Sequence, residues 1–386
     1  MKKAIIISLL LFISMLGYTR AEAKVYYQVG TYKAGKFQYD YKVLEKGIWI
    51  TKITPLSGKG IATLKIPSKI AGKKVVKLGA DGDLVGNIDS PDRDTNLFGV
   101  TNYDEELWIV LSPKKINDRV KKIKTIKIPS TVKILTQNCF RNLQDGKNIN
   151  IPAGVTKNVI GPFTYIKWNK ITASDKSKEY KVSNGCLLSR DGKKLYGFVK
   201  KKKKIVIPST VKRIVDDAGD FNGCSTMVIP KSVNKIDKEA INTYKPVKVK
   251  IAKGNKRYAV KYGSVYSKVS GRLALGYVNN GVLKIPEKVT RIADHGLLGE
   301  NPVKIIIPAS VKKICAIFHL SEAENVTCVF KCKTPPKLTH PIIIGGYIYG
   351  GTGQTYTIYV PKNCKDKYMK QWKFSPDLDV TLVESK

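Results

Sequence analysis

The sequence predicts an all-β, mainly β-strand fold: a solenoid of stacked short parallel strands, with inserted β-hairpins, an N-terminal β cap and a short C-terminal helix. Three observations predict it. An apolar-x-apolar-Pro motif recurs eight times along the 386 residues. Three pairs of copies have nearly the same internal spacing, Pro129 to Pro152, Pro208 to Pro230 and Pro286 to Pro308. The pairs themselves recur at an equal interval, together with the segments between them, as Pro208 to Pro286 and Pro230 to Pro308 show. Apolar residues make up 42% and charged residues 26%, so the chain can bury a core and is not a disordered tail.

The motif copies are Leu64-Lys65-Ile66-Pro67, Ile126-Lys127-Ile128-Pro129, Ile149-Asn150-Ile151-Pro152 and Ile205-Val206-Ile207-Pro208. Met227-Val228-Ile229-Pro230, Leu283-Lys284-Ile285-Pro286, Ile305-Ile306-Ile307-Pro308 and Ile358-Tyr359-Val360-Pro361 complete the set. Alternation puts two apolar side chains on one face of a short strand. Proline then ends the pairing, because it lacks the N–H a ladder needs. Three positions after each proline stand Ile70, Val132, Val155, Val211, Val233, Val289 and Val311, with Cys364 in the last copy; six positions after stand Ile214, Ile236, Ile292 and Ile314. One coil cannot bury its apolar face alone, whereas stacked coils make a shared core. A period of about 22 residues lies in the range of leucine-rich repeats, in which each coil supplies a short strand.

The segments between the pairs repeat as well. Tyr180, Val182, Gly185, Ser189 and Leu195 fall one long interval before Tyr258, Val260, Gly263, Ser267 and Leu273. Asp191-Gly192 is a strong hairpin turn between Cys186–Ser189 and Lys194–Tyr196, and Ser270-Gly271 is its later equivalent.

The ends are expected to differ from the coils. Met1-Lys2-Lys3, the apolar run from Ala4 to Tyr18 and Ala21-Glu22-Ala23 have the layout of a cleavable bacterial secretory signal, so residues 1–23 are expected to be removed after Ala23. Residues 24–63 read as an N-terminal β cap, 64–361 as the solenoid, with an irregular acidic insert at 80–125, and 362–386 as a C-terminal cap. Within the last, Cys364, Tyr368 and Trp372 share one helical face, and that helix is expected to lid the last coil. No later apolar run is long enough for a transmembrane helix. The product is expected to be secreted, extracellular or at the cell surface.

The Val-Ile-Pro-x-Ser-Val-x-x-Ile strings resemble BspA-type leucine-rich repeats of bacterial secreted and cell-surface proteins. Residues 205–214, 227–236, 283–292 and 305–314 carry the likeness best. Asn222-Gly223-Cys224 resembles the Gly-Cys that closes the family's repeat, and residues 184–193 resemble the hairpin placed between repeats. The opening from Tyr41 to Pro67 and the ending from Thr334-Pro335-Pro336 to Pro361 are similar to the family's. The Ala-Phe pair expected after each Ile is mostly missing, as at Asp217-Ala218-Gly219. The resemblance implies surface exposure and binding, to host or matrix protein or to other cells. It implies no catalytic residues.

Charge adds a candidate site. The 69 Lys and Arg outnumber 30 Asp and Glu, a formal charge of +39, and nine of the cations are Arg. Lysine is a mobile point charge, whereas arginine reads bases with a rigid fork, so the excess points to diffuse polyanion attraction rather than sequence-specific nucleic-acid reading. Five positions after proline stand Lys157, Arg213, Lys235, Arg291 and Lys313. Stacked coils would align these five along one side, where like charges repel unless an anion or solvent screens them. The run Lys200 to Lys204 would extend the field. The expected partners are an extracellular protein, an acidic glycan or an anionic wall polymer. The plainer alternative is a solvated face in a lysine-rich chain. A structural envelope role, held by charge to wall polymer, also stays open.

No cofactor or metal is expected. Only His295, His319 and His340 are present, which argues against histidine-based catalysis and metal sites. Asp92-x-Asp94-x-Asn96 lies in an acidic stretch that includes Asp81, Asp83, Asp89, Asp104, Glu105 and Glu106. A calcium loop would need Gly at its sixth position and Glu at its twelfth, where Leu97 and Tyr103 stand. The stretch reads instead as a loop that pairs with or caps the basic body. The Gly-rich run from Gly345 to Gly353 lacks the Lys-Ser/Thr of a phosphate loop and reads as a flexible hairpin. Seven cysteines cannot all pair, and the expected role of Cys139, Cys186, Cys224, Cys315, Cys328, Cys332 and Cys364 is that of small buried apolar side chains.

Overall fold

Each apolar-x-apolar-Pro segment forms a short strand that lies parallel to the next. The computed structural model describes residues 28–79, 97, 114–136, 139–140, 147–156, 168–199, 203–216, 218, 224–238, 240–243, 245–293, 296–314, 325–338, 355–372 and 379–385. Thr63–Lys65, Thr125–Lys127, Lys147–Ile151 and Trp168–Ala173 stack as one parallel set. Lys204–Val206, Thr226–Ile229 and Lys248–Ile251 form a second. Val282–Lys284, Lys304–Ile307, Asn325–Phe330, Thr355–Val360 and Asp379–Glu384 form a third. The inward residues are in register. Leu64, Ile126, Ile149 and Ile171 align, then Ile205, Met227 and Val249, then Leu283, Ile305, Cys328, Ile358 and Leu382, and all are buried. Each such side chain contributes roughly 1.5–3 kcal/mol on burial. Cys328 occupies an isoleucine position, and burial pushes its thiol up to about 12.

Proline then turns the chain. The carbonyls of Pro129, Pro152, Pro208, Pro230, Pro286, Pro308 and Pro361 each accept a hydrogen bond from the N–H three positions on, at 2.9–3.3 Å. That position holds a buried valine, or Cys364 after Pro361. Shortly afterwards the chain extends again, as Arg213–Ile214, Lys235–Ile236, Arg291–Ile292 and Lys313–Ile314. These pair parallel as a second ladder, Arg213–Ile214 on Lys235–Ile236, and Arg291–Ile292 on Lys313–Ile314 followed by Lys337–Leu338. Each coil therefore offers two parallel edges around one apolar interior, the leucine-rich-repeat solenoid that the period predicts.

The inserts are three-stranded meanders rather than simple hairpins. Tyr180–Ser183 precedes Cys186–Ser189 and Lys194–Phe198, and Tyr258–Lys261 precedes Ser264–Ser267 and Leu273–Asn279, all antiparallel. The extra turns are Asn184-Gly185, with φ 52° and 79°, and Tyr262-Gly263, with φ 53° and 77°. Both positions must be left-handed in such a tight turn, which suits Asn-Gly. A tyrosine there costs about 1–2 kcal/mol. Its side chain is tied down in compensation: Tyr262 Oη donates to Glu287 at 2.6 Å, and Lys284 Nζ lies 4.0 Å from the ring centre. Lys261 Nζ meets the other Glu287 oxygen at 2.8 Å. The bonds from Lys261, then Tyr262, hold the Glu287 carboxyl down to about 2.

A buried polar residue joins the second meander to the preceding coil. Asn255 Nδ2 donates to the carbonyls of Pro230 and Val233, and its Oδ1 accepts from the N–H groups of Arg257 and Tyr258. Cys332 holds the corresponding place in the next unit, and its Sγ approaches the carbonyls of Pro308 and Val311.

The ends differ in part from expectation. Gln28–Ala34, Phe37–Leu44 and Gly47–Pro55 form the β cap as an antiparallel meander. Its last strand lies parallel to Lys73–Leu78, which in turn pairs with Ile134–Leu135. The segment expected to be irregular at 80–125 contains a helix, Lys114–Lys122. The spacing Ile116, Val120, Ile123 is its sequence signal, and Val120 and Ile123 are buried. Lys147, itself buried, donates to the Val120 carbonyl at 2.8 Å and closes the helix C-terminus. At the other end the expected helix spans Lys365–Gln371, with Cys364, Tyr368 and Trp372 buried. Tyr368 and Trp372 meet Phe330 edge-on at 5.8 and 5.1 Å between ring centres. This helix does not end the stack. The chain returns as Asp379–Glu384, one further rung, and Glu384 Oε1 accepts the Cys364 and Lys365 N–H groups at 3.0 Å each.

Two outcomes are expected. Asn255→Ala strands two buried carbonyls and two N–H groups and should lower stability by about 3 kcal/mol in urea unfolding. The Glu287 carboxyl, followed by NMR, should titrate near pH 2. Because its folded value lies below the ordinary 4.5, the stabilisation from this cluster is present above that pH and is lost as pH falls toward 2.

Candidate functional site

The second ladder sets the candidate site, because its strands present one residue inward and one outward. Ile214, Ile236, Ile292 and Ile314 are buried, and the residue before each is a cation. Arg213 stands opposite Lys235, and Arg291 opposite Lys313, at the strand spacing of ~4.8 Å. Lys157 lies outside the described residues. The structure adds three cations that do not stand five after a proline. Lys194, from the last strand of the first meander, pairs with Arg213. Arg272, its equivalent in the next unit, bridges to Arg291. Lys337 pairs with Lys313. The long repeat interval was the signal for Arg272 once Lys194 was known; Lys337 belongs to a coil with no proline motif at the usual distance.

Side chains carry the ladder across the second meander. The N–H of Ile236 donates to Tyr258 Oη at 2.8 Å, and Arg272 Nη2 donates to the Ile236 carbonyl at 2.7 Å. The last backbone rung of one unit is thus satisfied by two residues of the next insert.

The cations differ in their surroundings. Asp237, whose side chain is 5% exposed, takes Arg213 through Nε at 3.0 and 2.9 Å and through Nη2 at 2.6 Å. Lys235 Nζ lies 3.6 Å from the same carboxylate. Two of the five predicted cations therefore share one internal anion. Asp237 was legible as an acid seven positions after proline, where the other coils hold Val215, Ala293 and Cys315. Among the described residues, no ion pair involves Arg291, Lys313 or Lys337. Arg291 and Lys337 are exposed and Lys313 is half-buried.

Of the lysine run at 200–204, Lys200, Lys201 and Lys202 lie outside the described residues. Lys204 sits on the outer side of the first ladder, opposite Thr226, which is opposite Lys248. His295, His319, His340, the Gly-rich run from Gly345 to Gly353, expected to be a flexible hairpin, and the acidic residues between 81 and 106 lie outside the described residues. Six cysteines are described, and all six are buried. No cluster of potential metal ligands occurs among the described residues.

Arg213→Ala would leave the Asp237 carboxylate buried beside one distant ammonium and should cost about 2 kcal/mol, whereas Arg291→Ala should stay within about 0.5 kcal/mol; thermal or urea unfolding of the two variants compares them.

The BspA type leucine-rich repeat region model matches residues 116–187 and 192–263, in six copies. No curated protein matches the chain. Among solved structures, a leucine-rich repeat protein from Eubacterium ventriosum is similar at 15% identity, covering 92% of this chain and 85% of that one, with a TM-score of 0.36. A leucine rich cell surface protein from Faecalibacterium prausnitzii is similar at 13% identity over 92% and 96%, with a TM-score of 0.34. The pneumococcal vaccine antigen PcpA is similar at 14% identity over 92% and 99%, with a TM-score of 0.30. Six repeat copies matched by sequence over residues 116–187 and 192–263, together with the proline turns, two parallel ladders and a shared apolar interior in the fold, identify that part of the chain as BspA-type leucine-rich repeats.

Proposed function

We propose that this is an exported repeat protein that acts outside the cell or at its surface by binding a macromolecular partner, with polyanions drawn to the cation ladder. One observation carries the reading: Arg291, Lys313 and Lys337 stand on successive rungs with no acidic partner among the described residues. Holding like charges at such spacing costs free energy that an external polyanion offsets. The repeat family points to a stacked binding scaffold rather than to a catalyst. The sequence signature of residues 1–23 supports export, and no helix among the described residues is long and apolar enough to cross a membrane. The net charge of +39 also favours a second reading, a structural envelope protein held electrostatically by anionic wall polymer.

The test is a binding array of Lys24–Lys386 against host proteins, neutral glycans, sulfated or sialylated glycans and wall polymers at two salt concentrations. Binding to the polyanions is expected, with affinity falling about tenfold or more between ~50 and ~200 mM salt. Salt-resistant binding to one protein or neutral glycan alone would count against a charge-driven mechanism. Release of native protein from cells by salt alone would favour the envelope role.

A further inference from the structure

The two long repeat units hold the same pair of cations in the same register, and among the described residues only one unit fills it. Arg213, Lys235 and Asp237 correspond to Arg291, Lys313 and Cys315. The backbone pairing is equivalent, Arg213 opposite Lys235 and Arg291 opposite Lys313. The preceding rungs correspond too, Lys194 with Arg272. In the first unit the chain supplies its own oxyanion. The Asp237 carboxylate takes the Arg213 guanidinium side-on, through Nε and Nη2, and lies 3.6 Å from the Lys235 ammonium of the adjacent rung. In the second unit the carboxylate is replaced in sequence by Cys315, a residue outside the described set.

We infer that Arg291 and Lys313 form a binding site for one oxyanion of an acidic polymer, with Asp237 marking in the first unit the place such a group takes in the second. The inference rests on the polyanion reading above and narrows it to one pair of rungs. A planar guanidinium fork beside a mobile ammonium suits a carboxylate, sulfate ester or phosphate. Lys337, one rung further, meets a second charge of the same polymer, so the chain of the ligand runs along the solenoid axis. The site would be absent from the first unit, where the Asp237 carboxylate already takes that place beside Arg213 and Lys235.

A heparin decasaccharide and poly(glycerol phosphate) serve as probes, the first offering sulfate esters and carboxylates and the second wall-type phosphates. The full mature chain is compared with Arg291→Ala/Lys313→Ala and with Lys204→Ala/Lys248→Ala, which removes the same charge from the other ladder. The ladder variant should weaken the tighter probe at least tenfold and reduce the salt slope by about two, one for each lost contact. The control should change affinity less than threefold. Cys315→Asp, which keeps both cations but supplies an internal carboxylate, should reproduce the loss if circular dichroism shows it folded; otherwise the alanine pair decides. The probe that binds more tightly identifies the source of the oxyanion. Equal weakening by both alanine pairs would overturn this site while leaving diffuse polyanion attraction standing. Failure of the unaltered chain to bind either probe at low salt would overturn both.

Discussion

The structure depends on one local event repeated along the chain: a proline that ends a strand and offers its carbonyl to the N–H three positions on. The missing proline N–H stops the ladder at a defined residue, and the turn bond re-aims the chain after a defined number of steps. That fixed count brings the next extended pair under the previous one and keeps isoleucine over isoleucine. A slip of a single position would turn every inward side chain to solvent. The burial of Ile214, Ile236, Ile292 and Ile314 and the alignment of the cations before them are therefore one fact seen from two sides. Hydrophobic register fixes where the charges stand; their mutual repulsion is tolerated because it is small beside the burial of the apolar partner of each rung.

Much of this was legible because period, proline and alternation all act locally. Residues that meet only through the inserts were less so. Arg272 reaches the ladder through a meander whose strands run antiparallel before the last one docks parallel, and Lys337 belongs to a coil without the proline motif. Asp237 was visible as an acid but not as a buried one, since nothing in the order of residues says that Arg213 folds back over it. The helix Lys114–Lys122 had the helical spacing of three apolar residues, yet its basic, irregular surroundings hid it. The strand Asp379–Glu384 has ordinary alternation, and the preceding helix made the chain look finished.

The long repeat unit also lets one part of the molecule interpret another. Asn255 and Cys332 occupy corresponding turns and approach equivalent pairs of carbonyls, one with an amide and one with a thiol. Asn184 and Tyr262 occupy the same left-handed position, and the residue poorly suited to it carries the additional ties to Glu287 and Lys284. Arg213 with Lys235, and Arg291 with Lys313, share a backbone pairing, but among the described residues only the first pair has a counter-charge. In each case the framework is constant and the side-chain chemistry varies, so equivalent positions act as internal controls for one another.

The junction at Ile236 has an architectural consequence. Its backbone N–H and carbonyl are satisfied by Tyr258 Oη and the Arg272 guanidinium, not by another strand. A unit boundary sealed by side chains presents no bare edge that only one particular neighbour can complete. An array with such joints can gain or lose a whole unit by duplication or deletion in its coding sequence while both terminal caps keep their existing neighbours. Length, and with it the reach of the molecule, becomes a property that selection can adjust in steps of one unit without redesigning the core.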